Sequence, residues 1–161
     1  MVMMRSIPFG DLAMILRWND GISEETNDKV IQAMHAIEKA ALPGVMEMVP
    51  AYNELMIVFD ARTTGFKILQ SAINSIDFSD DGITKEGREW HVPVCYGGDY
   101  GPDLPFVAAH CDIAEAALIA RHSAVKYRVY MLGFMPGFCY LGGLPAALSC
   151  PRKERPLLKI A

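Results

Sequence analysis

His122, Arg152 and the aromatic run from Phe134 to Tyr140 hold the side chains best suited to chemistry in this chain. His122 falls at the end of a helical segment, just ahead of a strand-like run, where the helix dipole favours a charged imidazole. It reads equally as an acid–base group and as a cap on that helix. Arg152 follows Pro151 and presents a planar guanidinium that could clamp a carboxylate or phosphate bidentately, or simply sit in a surface ion pair. Arg128, beside Tyr127, is a weaker candidate for the same role. Between these residues, Tyr127 to Pro145 packs four glycines, two prolines and five aromatics behind a strand-like segment. Loops of this composition line sites or interfaces, so Phe134, Pro136, Gly137, Phe138, Tyr140 and Gly142 are the expected wall. A side chain added at Gly137 or Gly142 is expected to clash with an approaching ligand or partner.

Other chemistries find little support. Cys139 lies inside the aromatic run, but spacing reveals no activating base, and it reads as a bystander. The four cysteines, Cys95, Cys111, Cys139 and Cys150, contain no C-x-x-C pair and have no helical histidine pair to complete a zinc set, so no metal site is expected. His91 reads as a satisfied structural residue in a strand, and His35 and His110 as surface or packing residues. No Walker-type glycine loop is present. Gly97, Gly98 and Gly101 do cluster, yet Asp99 and Asp103 beside them disfavour phosphate, and a plain turn is the better reading.

The elements that must position these residues follow from periodicity. Leu12–Trp18 is an apolar run of strand length followed by the turn cluster Asn19-Asp20-Gly21. Ser23 stands where an N-cap belongs, with Glu24 and Glu25 at the positive end of the dipole and Val30, Met34, Ile37 and Ala41 at helical spacing; Pro43-Gly44 ends that helix. Val45–Pro50 and Leu55–Phe59 read as strands, the second continuously apolar and therefore central. Phe66, Leu69, Ile73 and Ile76 mark the buried face of a second helix. Residues 77–87 read as a linker, and Arg88–Tyr96 as a further strand. That order, β-α-β-β-α-β, is the split βαβ pattern of an α+β domain. Two short helices follow, with Asp112 and Glu115 as a capping-box-like pair opening the second, and then a strand over Tyr127–Phe134.

Composition sets the outer limits. At 161 residues with 52% apolar content the chain can bury a real core. A net charge of −4 and a pI near 5.5 oppose a nucleic-acid role, and the basic tail of Arg152, Lys153, Arg155 and Lys159 reads as a solvated end. No apolar run reaches the length of a signal sequence or membrane span, so no membrane association and a reducing cytoplasm are expected.

The core Phe134-x-Pro136-Gly137-Phe138-x-Tyr140-Leu141-Gly142-Gly143, with Pro151-Arg152 after it and Cys95-Tyr-Gly-Gly-Asp-Tyr-Gly-Pro-Asp-Leu104 upstream, resembles the B-subunit family of prokaryotic 5-oxoprolinase. That family is also catalogued as allophanate hydrolase subunit 1 and includes a Kip-type inhibitor of a histidine kinase. Phe9-Gly10-Asp11, Asn27 and Val49-Pro50-Ala51-Tyr52 extend the resemblance over nearly the whole chain. It implies a ferredoxin-like domain over residues 1–88 and a cyclophilin-like β-barrel domain over 89–161, incomplete because family members continue further. It also implies one subunit of an ATP-dependent enzyme that opens the lactam of 5-oxoproline to glutamate, with a C-type subunit of related cyclophilin-like fold and an A-type subunit as partners. ATP would be the cosubstrate, phosphorylating the amide oxygen to make a leaving group. A non-enzymatic regulator that binds a sensor histidine kinase is the alternative, and this form is expected to be inactive alone. Nothing resembles the Ser-Ser-Lys constellation of an amidase.

Overall fold

A computed structural model describes residues 4–18, 21–78 and 87–152. The expected turn residues Asn19 and Asp20, most of the expected 77–87 linker and the basic tail beyond Arg152 lie outside the described residues. The chain divides into two compact units, one of Met1–Gly87 with Tyr130–Tyr140, the other of Arg88–Val129 with Leu141–Ala161.

The first unit is an α+β layer. Strands β1 (Met4–Phe9), β2 (Ala13–Trp18), β3 (Val45–Pro50) and β4 (Glu54–Phe59) form one antiparallel sheet in the order β1-β2-β4-β3. Because β4 lies between β2 and β3 and is antiparallel to both, β2 and β3 run parallel around it, with helix α1 (Glu24–Ala40) as their connection. This is the split β-α-β arrangement expected from the pattern, with the apolar strand at the centre. Alternation along β4 turns Leu55, Ile57 and Phe59 into the core. Met14, Leu16 and Trp18 of β2 join them, and Val30, Ala33 and Ile37 of α1 and Leu69 and Ile73 of helix α2 (Phe66–Asn74) close the layer. Each such fully buried large apolar side chain contributes roughly 1.5–3 kcal/mol.

Local chemistry places α1. The Thr26 N–H donates to Ser23 Oγ at 3.1 Å, satisfying one orphan donor of the first turn, with Glu24 and Glu25 beside it and Lys39 in the last turn. Ala41 ends the helix in the left-handed region at φ 46°, and Gly44 follows at φ +86°. A Cβ at Gly44 would stand 2.6 Å from Cγ2 of the buried Thr64, so glycine is required there on two counts.

The sheet's remaining strand differs from expectation. Residues 87–96 adopt no regular secondary structure, and Trp90, Val92 and Val94 are exposed rather than paired. The place beside β2 is taken by β1, joined to it through a tight turn in which Gly10 has φ +60°. Pro8 cannot donate to a ladder, which is tolerated because β1 is an edge strand.

In the second unit, helices α3 (Leu104–His110) and α4 (Glu115–Ser123) pack Ala108 and Leu118 against Leu148. The expected capping box is absent. Asp112 takes φ 53°, directly after the α3 C-cap, and Ala114 occupies the N-cap of α4 without a side-chain hydrogen bond. Strands β5 (Arg128–Leu132) and β6 (Cys139–Gly142) form a two-stranded sheet whose hairpin, Tyr130–Tyr140, belongs to the first unit, and no closed barrel occurs among the described residues. Returning to the first unit, Gly44→Ala should lower its stability by about 2–4 kcal/mol. Urea unfolding of the full chain, read from buried Trp18 in a Trp90→Phe background, tests this; an unchanged midpoint would refute it.

Candidate functional site

Two groups of side chains stand out, one in each unit. In the first unit the β5–β6 hairpin tip is closed by Gly133 N–H donating to Phe138 O at 3.1 Å, Met135 N–H to Gly133 O at 2.7 Å and Phe138 N–H to Met135 O at 3.1 Å. Its rings form a continuous array. Tyr130 packs on Tyr52 with centroids 5.3 Å apart, Tyr52 meets Tyr140 edge-on at 6.0 Å, Tyr140 meets Phe138 at 5.1 Å, and Phe138 meets Phe134 at 5.7 Å. Tyr130 is buried at one end, while Phe134 at the other is 82% exposed.

Phe134 also takes φ 64°, a left-handed conformation that costs a non-glycine residue about 1–2 kcal/mol. Strain of this kind persists where the surrounding structure over-determines it, here at a tip whose aromatic is solvent-exposed. Pro136 and Gly137 are exposed with it. A Cβ at Gly137 would meet nothing of the chain itself within 4 Å, and its φ of +79° favours glycine there. Gly142 ends β6.

Behind the array lies Asn27, 1% exposed on α1. Its Nδ2 donates to Ala51 O at 3.1 Å, with longer contacts to Tyr52 O at 3.4 Å and Tyr130 O at 3.5 Å. Its residue type drew attention in the sequence, but not this tethering role.

In the second unit His122 sits in the last turn of α4. Its Nδ1 is 2.6 Å from Tyr96 Oη, and its ring lies edge-on to Tyr96 and 5.2 Å from the Tyr127 ring. The Tyr127 hydroxyl donates to the His122 carbonyl at 3.0 Å, so a tyrosine serves the helix end and the imidazole turns to Tyr96. Burial first, and the neighbouring Tyr96 second, push the Tyr127 hydroxyl above its usual pKa of 10.0. Tyr96 is held by a turn in which Gly97 and Gly98 have φ +79° and +56°, and Gly101 N–H donates to Gly97 O at 3.0 Å. A Cβ on Gly101 would come within 2.5 Å of Gly97 N.

The remaining candidates are spread out. Arg152 is exposed and makes no ion pair with a described residue, and Arg128 opens β5. His91 is not the packed strand residue expected: its side chain is exposed, 3.8 Å from Glu89 Oε1. Lys126 donates to Glu89 at 2.7 Å and holds that carboxyl below its usual range. His35 pairs with Glu38 on the surface, and His110 stacks on Phe106. The cysteines are free, and among the described residues no cluster could hold a metal and no helix is long and apolar enough to cross a membrane.

Residues 4–161 match the family described as carboxyltransferase domain, subdomain C and D. The chain belongs to this family. Within the carboxyltransferase C and D family it is 35% identical to the 5-oxoprolinase B subunit of Bacillus subtilis (strain 168) over 159 residues, covering 91% of this chain and 66% of that one. It is 31% identical to the 5-oxoprolinase B subunit of Escherichia coli O157:H7, covering 94% of this chain and 68% of the relative. The chain thus spans about two thirds of the length of these relatives. Among solved structures, TTHA0988 superposes with a TM-score of 0.74 at 34% identity, over 95% of this chain and 28% of that one. Kluyveromyces lactis urea carboxylase shares the fold, with a TM-score of 0.62 at 16% identity over 81% of this chain and 14% of that one.

The raised Tyr127 pKa fixes the sign of a pH effect. The unfolded chain ionises first as pH rises, so the stability owed to the neutral phenol is complete below about pH 10 and is lost as pH climbs through the higher folded value. Tyr127→Phe should cost about 1 kcal/mol at neutral pH through the lost hydrogen bond, and should flatten the alkaline decline. Unfolding midpoints measured from about pH 8 to about pH 11 check both statements; an unchanged alkaline slope would contradict the second.

Proposed function

We propose that this protein is a subunit of an ATP-dependent 5-oxoprolinase, acting in the cytoplasm with C-type and A-type subunits to open the 5-oxoproline lactam to glutamate. The observation that carries this reading is the 35% and 31% identity to two 5-oxoprolinase B subunits, extending over nine-tenths or more of the chain. In this reading residues 1–88 form a ferredoxin-like domain and residues 89–161 part of a cyclophilin-like one. The β2-α1-β3 unit split by β4 supports the first.

Within the complex, the exposed Phe134, Pro136, Gly137 and Phe138, backed by Tyr140 and Gly142, form a wall toward substrate or a neighbouring subunit. His122 exchanges a proton with the reacting amide, and Arg152 clamps a carboxylate or phosphate. ATP supplies the activation that an unreactive lactam needs. The Gly97–Gly101 turn does not fit a triphosphate, because it closes on its own backbone and carries Asp99, with Asp103 close by.

The test is 5-oxoproline-dependent ATP hydrolysis by the chain mixed with C-type and A-type subunits. Turnover that requires all three supports the reading. Its absence would overturn the reading and leave the histidine-kinase regulator in its place. Phe134→Gly relieves the left-handed strain at an exposed site, so it should leave the chain equally stable or about 1 kcal/mol more stable while lowering turnover or assembly. Thermal unfolding and the same hydrolysis assay separate these two effects, and a fully active variant would remove Phe134 from the wall.

A further inference from the structure

We propose that the outer edge of β3, with the groove beside it, is a docking site for an extended basic segment of a partner protein. Strand β3 ends the sheet order β1-β2-β4-β3, so one side of its backbone has no strand partner among the described residues. Antiparallel ladders alternate in the direction of their bonds. Ala51 N–H donates to Glu54 O at 2.8 Å, and Val49 and Glu47 stand opposite Met56 and Val58. Those residues therefore bond toward β4, and the N–H and C=O of Met48 point outward. An added strand exchanges two hydrogen bonds there, which is how extended peptides join a sheet edge. The bulge between Val45 and Glu47 closes the window on one side and Pro50, which lacks a donor, on the other, so only a short segment pairs.

Charge selects the occupant. A groove of about 310 Å³ runs between β3 and the C-terminal end of α1, over an apolar floor of Ile37, Leu42 and Met48. Its charged lining is Glu38 and Glu47, and neither lysine nor arginine is among its described lining residues. The negative end of the α1 dipole lies at the same place. Glu38 Oε2 is 3.1 Å from His35 Nδ1, whereas Glu47 is exposed and makes no ion pair with a described residue. A lysine or arginine suits both features, with its aliphatic stem on the floor and its cation beside the carboxylates. A second copy does not: edge-to-edge pairing about Met48 would bring two Glu47 carboxylates together on chains that each carry a net charge of −4. The sheet's other edge, β1, carries Arg5 and Pro8 and no carboxylate, so it does not duplicate the site. The inference uses only β3 and α1 and is independent of the enzymatic reading above.

The probe is a short capped peptide alternating lysine and valine, titrated into the nitrogen-15-labelled full chain, with a peptide alternating glutamate and valine as its counterpart. The lysine peptide should shift the amides of residues 46–49 and of the last turn of α1. At saturation it should slow hydrogen exchange of the Met48 N–H by about tenfold or more. A Glu38→Gln, Glu47→Gln double variant should bind it about tenfold more weakly, and added salt should weaken binding to the wild type. Both carboxylates belong to exposed residues, so the double variant should unfold at the wild-type midpoint. Equal binding of the glutamate peptide, undiminished affinity in the double variant, shifts confined to other surfaces, or no shift at about 1 mM peptide would each overturn the proposal. Protection of Met48 that grows with protein concentration in the absence of peptide would also overturn it, by assigning the edge to a second copy.

Discussion

The buried amide of Asn27 is the constraint on which the first unit's array of aromatic rings depends. A primary amide taken out of water must find partners, because an unsatisfied buried polar group costs about 1–3 kcal/mol. Here one NH2 group addresses carbonyls of Ala51, Tyr52 and Tyr130, which belong to the turn between β3 and β4 and to strand β5. These segments lie far apart in sequence, and a single helix residue holds them in register. Any displacement of α1 would strip carbonyls of their donor and loosen Tyr52 and Tyr130 together.

From that anchor, order passes outward through ring contacts. Tyr130 and Tyr140 both lean on Tyr52, and Phe138 and Phe134 extend the series into solvent. Tilted and edge-on ring contacts of this kind contribute about 0.5–1.5 kcal/mol each beyond area burial, and they link the exposed Phe134 back to the buried Tyr130. The strain at Phe134 can persist because the hairpin's own hydrogen bonds at Gly133, Met135 and Phe138 over-determine the turn.

Legibility in the sequence tracked how local the cause was. Helix α1 was readable because Ser23, Glu24 and Glu25 act within one turn, and β4 because Leu55–Phe59 is apolar throughout. Strand β1 was not, since Pro8 and Ser6 give it no clear alternation and its pairing with β2 is what makes it a strand. Arg88–Tyr96 misled for the converse reason: Trp90, Val92 and Val94 alternate as a strand would, yet alternation does not supply a partner. Asp112 and Glu115 had the spacing of a capping box, but spacing is blind to the positive φ that turns Asp112 away from that role. At the candidate sites, the glycine and aromatic content of the hairpin signalled an exposed tip, whereas Tyr96 with His122 and Asn27 with Tyr130 are meetings of distant residues that no periodicity encodes.

The division of the chain has a practical corollary. The backbone passes from one unit to the other after Gly87, returns at Tyr130 and leaves again after Tyr140, so the first unit is not a continuous stretch of sequence. A fragment cut at Gly87 would keep the sheet and both of its helices but deprive Tyr52 of its ring neighbours and Asn27 of one acceptor. The minimal expressible piece that preserves this surface must carry the hairpin as well, either by retaining the intervening residues or by splicing Tyr130–Tyr140 back on.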